Sequence, residues 1–382
     1  MKPVERTFQG ARLRQARLIA NMTATDLAER LEVSRQLVSA AENGKPLGLE
    51  KMAQAASLLG VSIDYFYSPV PTELGGLHSA INYRSLKRTP EFQKDRADAA
   101  LAWAREVVLR FSELLEMPVV RLPEFPPRDP EELSWEMIEE ISRSTRQFFG
   151  LGYGPIDKLV LLLENHGIVV GYAELSEDMD GVSAWYESGP IILVKKGSPA
   201  VRSRFDIAHE LGHLILHRHL LAEDVDDPTR HDLMEKQAHY FAGAFLLPEE
   251  GFVPEAVRID LDYLVKLKRR WKVSLQAMMM RLESLHVVTR DQLQRFFQNL
   301  SRRRWRKDEP LDSEISAETP VLFERAGRFL AQENVVPFHE AFTRTRLSKG
   351  YLEVFAGLPS GVLNMPSGLE ANVVQFRRRD SK

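Results

Sequence analysis

Apolar positions recur at helical spacing through residues 8–66 and are broken at short polar intervals. Leu13, Ala16 and Ile19–Ala20 form a first stripe, which stops at Asn21–Met22. Thr23 is placed to cap a second helix, with Asp26 at its third position as the acid of a capping box. That helix runs to about Leu31 and turns Leu27, Ala28 and Leu31 to one face. After the break at Glu32–Val33, Ser34 caps a third helix that Gly44 stops. A fourth carries Leu49, Met52, Ala53, Ala56 and Leu59 to Gly60, and VSIDYF closes the core. Further on, residues 96–116 read as one long helix, followed by a proline-rich link from Pro123 to Pro130. Helices then alternate with short strand-like runs, GIVVGYAEL and GPIILVKK, before a charged, helical end with basic clusters at Arg302–Lys307 and Arg377–Arg379. The pattern predicts an α+β chain, mainly α, in four regions: 1–68, a 69–130 helical linker, 131–285 and 286–382.

The second and third helices, joined by a tight turn, present a Ser-capped helix N-terminus of the kind that enters a DNA groove. Its exposed first-turn residues are Arg35 and Gln36, with Ser39 one turn on. Arg pairs with guanine and Gln with adenine. The stretch DLAERLEVSRQLVSAAENGK resembles the XRE-type helix-turn-helix of phage and plasmid repressors over residues 8–66. The resemblance implies that Arg35, Gln36 and Ser39 face the bases of double-stranded operator DNA. It further implies that Arg12, Arg14 or Lys45 reach phosphates, and that the protein is a homodimer on a palindromic site. A module that only docks protein would carry the same helices.

Composition narrows the chemistry. The net charge is −3, so nucleic acid must be met by a local surface. There is no cysteine, so any transition metal is left to His, Asp and Glu. No signal peptide and no apolar run of membrane-spanning length is present, and the reading is cytoplasmic, with no membrane partner.

The stretch RSRFDIAHELGHLILHRH, residues 202–219, is apolar almost all round and therefore predicts a buried helix. It holds His209-Glu210-Leu211-Gly212-His213. Positions i and i+4 share a helix face, so His209 and His213 can ligate one metal ion. Glu210 beside them can take a proton from an attacking water. A hydrolytic zinc site needs a third protein ligand. His219 has the metzincin spacing, but Leu216 stands where that pattern turns on glycine. The acidic run Glu223–Asp227 is a second source, and Glu235 a third. Glu235 opens a helix stopped at Pro248 and shares a small, apolar face with Ala238, His239, Ala242 and Leu246. That inward face makes Glu235 the preferred ligand. Mn and Fe fit the same donor set as Zn2+. His217, His239 and Tyr240 are each candidates for a further donor to the oxyanion.

HELGHLILH, EKQAHYFA and FLLP together resemble the ImmA/IrrE family of zincin metallopeptidases over roughly residues 135–285. RSRFDIA resembles the family lead-in, with Asp206 where Thr is common, and His239 replaces the usual Asn or Asp. Residues 181–196 resemble the strand pair that precedes the catalytic helix, along which a substrate peptide adds as a further strand. The resemblance implies a zincin-like domain with a small sheet. It also implies a zinc-dependent endopeptidase that cleaves an XRE-type repressor, or itself, in a stress or mobile-element response. The alternative is a transcription factor whose zincin-like domain senses a ligand or dimerises without proteolysis. In KRRWKVSLQAMMMR the methionines read as core filling, and the basic SRRRWRK stretch as a solvated helix end.

Overall fold

The computed structural model describes residues 7–70, 82–83, 90–220 and 227–364. The acidic residues 223–226 and the basic cluster Arg377–Arg379 lie outside them. Helices α1 (Gly10–Ile19), α2 (Ala24–Arg30), α3 (Arg35–Glu42) and α4 (Leu49–Leu59) form the N-terminal bundle. The capping box forms: Thr23 accepts from the Asp26 amide, and Asp26 accepts from the Thr23 amide. Ser34 caps α3 by accepting from the Leu37 amide.

Strand β1 (Asn82–Tyr83) precedes a long helix, α5 (Glu91–Ser112), and then α6 (Trp135–Phe148) and α7 (Leu159–Asn165). Strands β2 (Val169–Ala173), β3 (Gly181–Tyr186) and β4 (Gly189–Lys195) follow. The four strands make one sheet in the order β1-β3-β4-β2. β2 lies parallel to β4, whereas β3 is antiparallel to both β4 and β1. Behind the sheet come α8 (Ala200–Leu216), α9 (Pro228–Leu246), the single turn α10 (Glu249–Phe252), α11 (Leu261–Trp271), α12 (Leu275–Ser284) and α13 (Arg290–Arg302). The chain finishes with α14 (Leu322–Gln332), α15 (Phe338–Thr343) and α16 (Lys349–Phe355).

The sheet separates two cores, as the period-two alternation of strand side chains requires. Ile192 and Val194 face the core containing α6 to α9 and α11 to α13, while Ile191, Leu193, Val182 and Ala184 face the other. That second core contains the N-terminal bundle, α5 and α14 to α16. The segments read from sequence as a linker and a charged tail therefore carry buried apolar stripes, including Trp103, Phe111, Phe323, Leu330 and Phe355.

An aromatic column runs through this core. Trp103 on α5 donates to the Tyr65 hydroxyl at 2.6 Å, and its ring meets that of Tyr351 edge-on at 4.9 Å. Tyr351 donates to the Ala100 carbonyl at 2.7 Å. Arg12 of α1 is buried against Glu106 of α5 at 2.5 Å.

The C-terminal helices are pinned to the sheet domain by two carboxylates. Glu318 pairs with Arg204 of α8 and accepts from the Val160 amide at 2.9 Å. Glu164 accepts from the amides of Val321 and Leu322, both at 3.1 Å, at the start of α14. Burial raises the Glu164 carboxyl from its ordinary 4.5 to about 7, against the opposing pull of those amides. A raised carboxyl pKa means the folded state holds the proton more tightly. Its contribution is complete below pH 4.5 and is lost as the pH rises through 7. Stability is expected to fall by up to about 3 kcal/mol across that window. Denaturant titrations at several pH values check this, and the slope should flatten in Glu164→Gln.

Candidate metal centre

Helix α8 is buried along almost its whole length, between the sheet and α9. Gly212 permits the second contact. A Cβ there would come within 3.1 Å of the Phe241 ring and 3.2 Å of Ala238 Cα. The missing side chain lets α9 approach closely enough for Glu235 to reach the histidines.

His209 Nε2 and His213 Nε2 lie 3.1 Å apart. Glu235 places one carboxylate oxygen 3.0 Å from His213 Nε2 and the other 3.4 Å from His209 Nε2. Zn–N and Zn–O bonds of roughly 2.0–2.2 Å imply tetrahedron edges of roughly 3.3–3.6 Å, close to these separations. The donor set therefore fits one zinc-sized ion. Among the described residues it is the group of His and carboxylate side chains that could hold a metal. Burial opposes the charge on Glu235, but His209 and His213 outweigh it and hold its carboxyl well below the ordinary range.

Behind His213 lies an orienting chain of hydrogen bonds that sequence reasoning missed. His213 Nδ1 is 3.1 Å from His217 Nδ1, and His217 Nε2 is 3.1 Å from Gln237 Oε1. Gln237 donates its amide to the Pro130 carbonyl at 2.6 Å, which fixes Oε1 toward His217. Burial, then the neighbouring His213, holds the His217 pKa well below 6.5, so the ring is neutral. With Nε2–H given to Gln237, His217 Nδ1 accepts from His213 Nδ1–H. His213 Nε2 is then left with its lone pair toward Glu235 and His209, the tautomer a ligand needs. The i+4 spacing of His213 and His217 was the available signal. His217 thus sits behind a ligand, and does not supply an oxyanion donor in the cleft.

Glu210, next in the chain to His209, meets the sheet. Ser183 of β3 donates to its carboxylate at 2.6 Å. Gly181 leaves room for it, since a Cβ there would fall 2.8 Å from Glu210 Oε1. The Tyr240 hydroxyl donates to Glu139 at 3.2 Å, and the exposed His239 lies beside the His209 ring. His219 is directed elsewhere and meets the Arg128 carbonyl at 2.8 Å. Asp227, the last acid of the loop run, caps α9 by accepting from the Thr229 amide.

On α3, Arg35, Gln36 and Ser39 are all exposed, while Val38 and Ala41 are buried beneath them. Lys45 is exposed, and Arg14 pairs with Asp95 at 2.8 Å. The expectation that Arg12 reaches a phosphate is overturned. Its guanidinium is 1% exposed and committed to Glu106, Tyr65 and the carbonyls of Ser68 and Pro69.

Residues 163–283 match the family model described as IrrE N-terminal-like domain, of the M78 peptidases, and residues 13–66 match the helix-turn-helix model. The chain carries a helix-turn-helix domain and an IrrE-like domain. The match to the IrrE model begins within α7 and ends in α12, and so contains strands β2, β3 and β4 with α8 and α9. A solved structure of a Mycobacterium tuberculosis transcriptional regulator is similar at 20% identity and a TM-score of 0.29. That likeness covers 47% of this chain and spans about half of the other, 51%. No curated protein matches the chain. Among the described residues no helix is long and apolar enough to cross a membrane.

Proposed function

We propose that this DNA-binding regulator uses its IrrE-like domain as a zinc metalloendopeptidase, cutting a repressor-type protein or its own chain to control transcription. The carrying observation is the convergence of His209, His213 and Glu235 beside a carboxylate, Glu210, held on the sheet side of the same helix. His209, His213 and Glu235 would hold Zn2+. The bound ion supplies Lewis acidity toward the scissile carbonyl. Glu210, oriented by Ser183, removes a proton from the attacking water and returns it to the leaving amine. His217 and Gln237 keep His213 in the ligating tautomer. His239 lies where a donor to the developing oxyanion is useful.

Elemental analysis tests the ligand set. About one zinc per chain is expected in the wild type, and its loss in both His213→Ala and Glu235→Ala. A wild type without metal after purification free of chelators sinks the peptidase reading. Zinc kept in Glu235→Ala moves the third ligand elsewhere.

The exposed first turn of α3 supports operator contact by Arg35, Gln36 and Ser39 from each half of a homodimer. Arg35→Ala is expected to weaken operator binding by about 1–3 kcal/mol per half-site and to relax the base preference at one position. Band-shift titrations against substituted operators check this. An unchanged affinity removes Arg35 from the interface.

A further inference from the structure

Two cavities open where α8, α9 and α12 meet. The nearer, of about 700 Å³, includes the ligands His209 and Glu235 in its wall, together with Trp135, Tyr240 and Met280. The farther, of about 400 Å³, reaches Arg306 and Lys307 of the basic stretch after α13. They meet across Phe205, His239, Ala277 and Met280, which line both. Met278 and Met279 fill the core, whereas Met280 is 40% exposed and forms the floor where the cavities join. From Gln276 in the far cavity to Ser284 in the near one, α12 rises about 12 Å, the span of roughly four extended peptide residues.

The charges along this groove are unbalanced. Arg281 is committed to Glu139 at 2.6 Å. Glu309 and Asp312 are committed to the buried Lys268 at 2.8 and 2.5 Å. Arg202 faces Asp180 at 3.4 Å. Lys236 and Arg290 in the near cavity, and Arg306 and Lys307 in the far one, are exposed and have no ion-pair partner among the described residues. Against these cations the cavities present Glu283 and the buried Asp206, beside the ligand Glu235, so the exposed cations remain in excess. Aromatic rings and a methionine between two pairs of cations suit an apolar side chain with acidic neighbours.

We infer that this groove is the substrate-binding surface beside the metal centre, and that it selects a peptide segment with a bulky apolar residue flanked by Asp or Glu about four residues apart. The inference rests on the peptidase reading for the name substrate, but the binding it describes is measurable without cleavage. The test uses the full-length, zinc-loaded Glu210→Gln protein and fluorescent decapeptides at near-physiological salt. One peptide carries a central Phe between acidic residues, a second replaces the acids with Lys, and a third replaces Phe with Ser. The acidic Phe peptide is expected to bind at least tenfold more tightly than either. Adding Arg306→Glu with Lys307→Glu, both at exposed positions, should cut that affinity about tenfold while the unfolding midpoint of the protein shows it still folded. Met280→Asp should remove the preference for Phe over Ser. Equal binding of acidic and basic peptides, no binding of any, or no response to the charge reversal overturns the inference. So does a short DNA duplex that displaces the acidic peptide and binds the groove more tightly. The stated preference without cleavage by the wild type keeps the groove and removes the peptidase reading. Cleavage without the preference does the reverse.

Discussion

Cleavage of the target protein by a Glu210→Gln variant is expected to fall by about 10²–10⁴-fold, with zinc content and operator binding unchanged. Glutamine keeps the shape of the side chain and an oxygen for the Ser183 hydroxyl, now 2.6 Å from the carboxylate. It loses the lone pair that accepts the proton from water at neutral pH. The metal ligands are untouched, because Glu210 faces the sheet and His209 and His213 face α9. The measurement is the rate of product formation beside elemental analysis and a band-shift assay of the same sample. A variant that cuts at the wild-type rate excludes Glu210 as the base. A variant that cannot cut but still delivers the full transcriptional response favours the sensor reading, in which the IrrE-like domain signals without proteolysis.

Glu106→Ala is expected to destabilise the protein by about 3–5 kcal/mol. Arg12 is 1% exposed and Glu106 is 3% exposed, so removing the carboxylate strands a cation out of reach of water. The carbonyls of Ser68 and Pro69 and the Tyr65 hydroxyl still accept from Arg12, but none of them carries a compensating charge. Arg12→Met with Glu106→Leu removes both charges and fills the space, and should recover most of the loss. Denaturant unfolding of the two single variants and the double one closes a thermodynamic cycle. A cost below about 1 kcal/mol for Glu106→Ala would mean that water reaches the pair. The pair also joins the helix-turn-helix bundle to α5, so limited proteolysis of Glu106→Ala should show residues 7–68 released first.

Much of the local structure was legible in the chain. Thr23 with Asp26, and Ser34 before α3, are capping signals whose hydrogen bonds span three residues, so sequence spacing determines them. His209 and His213 share a face for the same reason: an α-helix repeats every 3.6 residues whatever surrounds it. The exposure of Arg35, Gln36 and Ser39 follows from the apolar positions Val38 and Ala41 beneath them. The error over Arg12 shows the limit. An arginine on a short, basic helix reads as a surface cation, and nothing within α1 announces a carboxylate 94 residues away. The same limit hid the apolar roles of α5 and of α14 to α16, whose stripes are diluted by charge and whose partners lie at the other end of the chain.

By itself, then, the sequence determined the local terms: helix caps, strand alternation, the shared face of two histidines, and the absence of thiolate ligands. The inward face of its helix made Glu235 the preferred third ligand, but only the tertiary structure brings it to those histidines. That approach depends on how closely α8 and α9 pack at Gly212, a contact between elements rather than a property of either. It also decided that His217 stands behind His213, that Met280 lines a groove while Met278 and Met279 fill a core, and that Glu164 is buried enough to titrate near 7. Each depends on burial and on a partner distant in sequence, and desolvation and packing act on neighbours in space.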